Sequence, residues 1–145
     1  MKVIQNVTRS FTAGEPRGPQ AANFTHLQLL NPSSSERKII ITRWRTSVGA
    51  ASVVQLRSFA TPLTTLLTSV TNNIIGGPSP SAEFRFQNNA SALGTALITE
   101  VPKAMELDVE LVDEDPFILT PGNGLLVTTS PNNIQVGVLI NWREE

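Results

Sequence analysis

Short runs of alternating or β-branched residues, broken at every turn by Gly, Pro and Asn, constrain this chain more than any other feature. Phe24-Thr25-His26-Leu27-Gln28-Leu29-Leu30 stops at Asn31-Pro32-Ser33-Ser34-Ser35, where Asn and Pro end a strand and the serines turn the backbone. Lys38 to Thr46 is rich in β-branched residues. Strict alternation there puts Ile40, Thr42 and Trp44 on one face and Ile39, Ile41, Arg43 and Arg45 on the other. Ser52 to Phe59 is a third run, and Ala82 to Gln87 sets Phe84 and Phe86 against Glu83, Arg85 and Gln87. Thr95 to Val101, Met105 to Leu111, Leu125 to Thr129 and Ile134 to Trp142 follow. The last of these places Ile134, Val136, Val138, Ile140 and Trp142 on one face. About eight strands at this spacing, joined by turn-rich loops, predict an all-β antiparallel sandwich or barrel.

Two segments depart from that pattern. Between Thr61 and Ile75, the spacing of Leu63, Leu66, Leu67 and Val70 fits a short helix crossing the sandwich, although the interleaved threonines argue against a long one. Residues 1–23 carry thinly spaced apolar residues followed by Ala13-Gly14-Glu15-Pro16-Arg17-Gly18-Pro19-Gln20. A stretch so rich in breakers predicts an extended N-terminal arm over 1–23, leading into a β-domain over 24–145. In such an arm Val3, Ile4, Val7 and Phe11 are the candidate apolar anchors for a partner.

The chain has 145 residues, 40% of them hydrophobic and only 16% charged, with a net charge of −1. One domain of that size buries about two-thirds of its extended-chain surface. Near-neutrality leaves no electrostatic footprint for nucleic acid, and no apolar run is long enough for a membrane-spanning helix. With no cysteine, disulfides, thiolate metal sites and thiol nucleophiles are excluded. The single histidine, His26, leaves no histidine cluster for a transition metal, and a Ser-His-Asp triad would have to be built around it. On a strand between Thr25 and Leu27 it reads as a surface residue. No cofactor is implied and the chain is read as a non-enzyme.

The remaining candidates are weaker. Asp108, Glu110, Asp113, Glu114 and Asp115 supply hard oxygen ligands for a cation, or a carboxylate pair, but alternating acids opposite hydrophobes are also what a half-exposed strand shows. Trp44 and Trp142 could stack on a sugar, yet their aliphatic same-face neighbours favour core burial. Arg43, Arg45 and Arg57 form a candidate basic stripe for an acidic partner. The competing account is a solvated face paired to nearby Glu and Asp.

Two motifs carry a resemblance. Leu27-Gln28-Leu29-Leu30-Asn31-Pro32-Ser33-Ser34-Ser35 runs into Lys38-Ile39-Ile40-Ile41, and Pro116-Phe117-Ile118-Leu119-Thr120-Pro121-Gly122-Asn123-Gly124-Leu125-Leu126-Val127 precedes a final strand ending in Trp142-Arg143-Glu144-Glu145. Over residues 24–145 this resembles small jelly-roll virion proteins of tailed bacteriophages, of the capsid decoration (cement) or fibre-associated kind. The resemblance implies a jelly roll made in the host cytoplasm and assembled on the virion as a non-enzymatic homotrimer. It would bind the major capsid protein on the outer shell and stabilise it, with the arm wrapped on a neighbour. The alternative it carries is a receptor- or carbohydrate-binding or adaptor module of a tail or fibre.

Overall fold

The computed structural model describes residues 9–100, 108–112 and 115–145. Among these are twelve strands and no helix: β1 Arg9–Arg17, β2 Phe24–Asn31, β3 Ile39–Val48, β4 Val53–Ser58, β5 Thr65–Leu66, β6 Val70–Asn72, β7 Glu83–Asn89, β8 Thr95–Glu100, β9 Asp108–Val112, β10 Phe117–Leu119, β11 Asn123–Ser130 and β12 Val136–Glu144. They form two antiparallel sheets. The first runs β10-β3-β12-β1-β6, with β9 also paired to β3, and the second runs β5-β7-β2-β11-β4-β8. From β1 to β4 each strand lies in the opposite sheet from its predecessor, and β8 to β12 alternate likewise apart from β9 and β10, which both pair with β3. That winding is a jelly roll, and β5, β6 and β7 are an insertion that widens both sheets on one side.

Between the sheets lies a core that includes Phe11, Leu27, Leu29, Ile39, Ile41, Trp44, Leu56, Phe84, Val127, Ile140 and Trp142. The inward set on β12 is the one that alternation predicts, and Trp44 and Trp142 are both buried.

The arm is corrected over its second half. Residues 9–17 are β1, paired along their whole length with β12, from Arg9 opposite Glu144 to Arg17 opposite Val136. Phe11 is therefore a core residue and no partner anchor: it is fully buried and stacks on Trp142 with ring centroids 5.6 Å apart. The breakers are tolerated because β6 covers only Phe11 to Ala13 on the other side. Pro16 lies beyond β6, where its missing N–H leaves no ladder bond unmade. Val3, Ile4 and Val7 lie outside the described residues.

Two further expectations change. The helix between Thr61 and Ile75 is absent, and that segment contributes the short strands β5 and β6, one to each sheet. Leu63 is buried but Leu66 is 53% exposed, so the apparent helical stripe never forms one face. In β3 the alternation breaks at Thr42: Arg43 pairs with Asn141 and Ile41 with Trp142, which leaves Thr42 as an extra residue. This β-bulge reverses the phase of the strand. Ile39 and Ile41 before it, and Trp44 after it, consequently share the inward face, while the Thr42 hydroxyl donates to the Asn141 carbonyl at 3.2 Å.

Candidate functional site

The two outer faces of the sandwich are built differently. On the second sheet, the outward side chains His26, Gln28, Leu126 and Thr128 are buried, because loops fold back over them. Gln28 anchors one of these loops. Its Nε2 donates to the carbonyls of Phe59 (2.8 Å) and Thr61 (3.0 Å), and its Oε1 accepts the Leu63 N–H (3.0 Å). A second loop, residues 90–94, is held by Arg57, whose Nε donates to the Leu93 carbonyl at 2.7 Å and Nη2 to the Gly94 carbonyl at 2.6 Å.

His26 lies beneath that second loop and is no surface residue. Its Nε2 accepts the Leu93 N–H at 3.1 Å, so Nδ1 carries the proton and faces the Gln87 carbonyl at 3.3 Å. Burial pushes its pKa down from 6.5 to about 4, opposed by the bond to Gln87 and reinforced by the charge of Arg57. Because the folded value lies below the unfolded one, the neutral ring contributes stability in full above pH 6.5, and that stability drains away as the pH falls toward 4. The loss should reach about 3 kcal/mol. Urea titrations of the native chain and of His26→Gln at pH 7 and pH 4.5 would show it as an extra loss on acidification in the former.

The arginine stripe does not exist as such. Arg43 and Arg45 lie outward on the first sheet and Arg57 outward on the second, on opposite sides of the molecule, because each flanks inward residues of its own strand. Arg57 spends Nε and Nη2 on the 90–94 loop and Nη1 on the Gln55 side chain of its own strand. Arg43 donates from Nε to Glu110 Oε1 at 2.9 Å across the β3–β9 pair, with both side chains well solvated. Arg45 lines a shallow cavity of about 190 Å³ with Ser47, Val138 and Leu139. Of the acidic group, Glu110 is engaged by Arg43 and Asp115 is exposed. Asp113 and Glu114 lie outside the described residues, among which no cluster of metal-ligating side chains occurs.

The outer face of the first sheet, in contrast, is left open by the described residues. Gly14, Pro16, Arg43, Ser47 and Leu139 are exposed on it. Its middle is a ladder of neutral groups: Asn141 Nδ2 donates to Thr12 Oγ1 (2.8 Å), Thr12 Oγ1 to Asn73 Oδ1 (2.9 Å), and Asn73 Nδ2 to Ser10 Oγ (3.0 Å). Sheet edges offer less. β5, β6 and β10 are two or three residues long, and β8 carries a bulge at Leu97, between the pairs Leu56–Ile98 and Arg57–Ala96. Short and bulged edges resist strand addition, which leaves the open face as the candidate contact surface. Sequence reasoning missed it because most of the side chains at its middle are small, neutral and far apart in the chain.

No known family model, curated protein or solved structure matches this chain.

Proposed function

We propose that this chain is a non-enzymatic structural protein of a tailed-phage virion, which binds the major capsid protein on the outer shell and stabilises it. The contrast between the two outer faces carries the reading: one sheet is roofed by its own loops, and the other presents a middle of hydroxyls, amides and Leu139, bordered by Arg43, which is paired with Glu110, and by Arg45. Such a surface suits a broad contact in which affinity comes from fit and many weak polar bonds. Several buried or half-buried polar side chains serve the fold. His26, Gln28, Arg57 and Glu144 each hold backbone of this chain in place. Residues 1–8, with Val3, Ile4 and Val7, supply further contact as they leave β1, and the protein works as a homotrimer. The alternative, a carbohydrate- or receptor-binding module of a tail or fibre, has less support, since both tryptophans are buried and the chain has no tyrosine.

Co-sedimentation with capsid shells stripped of this protein tests the reading. The native chain should pellet with the shells and raise their melting temperature. Leu139→Asp, at a position 38% exposed on the open face, should keep its fold and lose binding at least tenfold, by placing a hydrated charge, opposite Arg45 across the strand pair, in a contact that buries an apolar side chain. Deleting residues 1–8 should weaken binding without unfolding the sandwich. A native chain that stays in the supernatant would overturn the proposal, and undiminished binding by Leu139→Asp would move the contact elsewhere.

A further inference from the structure

We infer that His26 and Arg57 form an acid-released latch that holds the 90–94 loop down on the outer face of the second sheet. The loop, Ala90-Ser91-Ala92-Leu93-Gly94, has no titratable side chain; apart from a 2.8 Å bond from Asn89 Nδ2 to the Ser91 carbonyl at its start, its described attachments to the sheet converge on two residues. His26 receives the Leu93 N–H, while Arg57 binds the Leu93 and Gly94 carbonyls. Gly94 sits at φ +80° and packs so closely on Ser58 that a Cβ would come 2.3 Å from its carbonyl oxygen. The loop is thus pivoted at a left-handed glycine, beside the arginine that grips it.

Protonation attacks this arrangement in two ways. An imidazolium carries N–H on both nitrogens, so Nε2 can no longer accept from Leu93 and two donors face each other. It also places a second positive charge near Arg57 in a site closed to water. Arg57 is the charged group facing the ring. From β7 comes the Gln87 carbonyl, from the same side of β11 the uncharged Thr128, and the Arg85 guanidinium is turned toward Glu83 and the Leu63 carbonyl. Among the described residues no carboxylate is placed to compensate the new charge, so lifting the loop and hydrating the ring relieves it.

Linkage sets the size of the effect. A ring that titrates at about 4 when covered and normally when exposed raises the opening constant on the order of 50-fold between pH 7 and pH 4.5. Amide hydrogen exchange by NMR, corrected for the intrinsic pH dependence, reads it directly. The Leu93 amide should lose protection by that factor, along a curve whose midpoint matches the His26 imidazole resonances. The amides of Leu27 and Val127 in the neighbouring strands should keep theirs. In His26→Gln, whose side chain still offers an acceptor but does not titrate, Leu93 protection should be independent of pH. Constant Leu93 protection in the native chain would overturn the latch. So would a loss shared equally by Leu27 and Val127, which signals global unfolding. Both results come from the native chain and stand even if the variant does not fold. The latch does not rest on the capsid reading and can fail or hold independently of it.

Discussion

Replacing Glu144 with alanine should lower the unfolding free energy by about 3–5 kcal/mol, the largest loss expected from any single polar substitution in this chain. The Glu144 side chain is fully buried near the end of β12, on the same face as Ile140 and Trp142. Three N–H donors and one cation converge on it. The Ser81 N–H lies 2.9 Å from both carboxylate oxygens, the Ala82 N–H 2.9 Å from Oε2, and the Trp142 indole N–H 3.3 Å from Oε2. Arg9 approaches Oε1 with Nε at 3.3 Å as an ion pair, while its Nη2 donates to the Ser79 carbonyl at 2.6 Å. One carboxylate thereby ties together the start of β1, the segment leading into β7 and the end of β12. Truncation would strand two backbone donors and an indole in a dry site, each costing about 1–3 kcal/mol when unpaired. Glu144→Gln should lose less, since one oxygen remains, but its amide would point donors at donors. Urea unfolding followed by tryptophan fluorescence would measure both. Glu145→Ala, on a solvated carboxylate paired with Arg143, should change stability by no more than about 0.5 kcal/mol. Equal losses at 144 and 145 would refute the role given to Glu144.

Gln28→Leu should cost about 3 kcal/mol and free the 59–63 segment from the second sheet. The substitution keeps the bulk and the β-propensity, so its cost comes from hydrogen bonds alone. It leaves the Phe59 and Thr61 carbonyls and the Leu63 N–H without partners. Leu63, buried under the same bonds, would then gain solvent access. The expected signature is local: accelerated exchange at the Leu63 amide together with the drop in urea midpoint. An unfolding free energy unchanged to within about 0.5 kcal/mol, on the scale typical of surface substitutions, would mean that the loop is held by packing rather than by Gln28.

Both residues show how far the chain can be read unaided. In Phe24 to Leu30 the alternation of Leu27 and Leu29 with His26 and Gln28 correctly separates two faces. It cannot say that the polar face is roofed, because the roof comes from residues 59–63 and 90–94. The same holds for Glu144: its parity with Trp142 is legible, but its donors come from residues 9, 81 and 82. Pro121-Gly122-Asn123-Gly124 was readable as a turn, and Gly122 does sit at φ +88°. Gly124 is needed for a different reason, since a Cβ there would lie 2.4 Å from the Phe59 carbonyl oxygen.

What the sequence determined by itself is therefore local: where strands start and stop, which residues of most strands face together, and that two buried tryptophans belong to the core. Period-two alternation and turn chemistry act between near neighbours, and they are written in the order of residues. Tertiary structure decided whatever depends on distant partners. It drew Arg9–Arg17 out of an apparent arm and into the sheet, because β12 offered a full antiparallel partner and Trp142 a surface for Phe11. It placed the bulge at Thr42, which brought Ile41 and Trp44 to one side. It roofed one sheet and left the other open, and that difference arises only where loops remote in sequence compete for the same face.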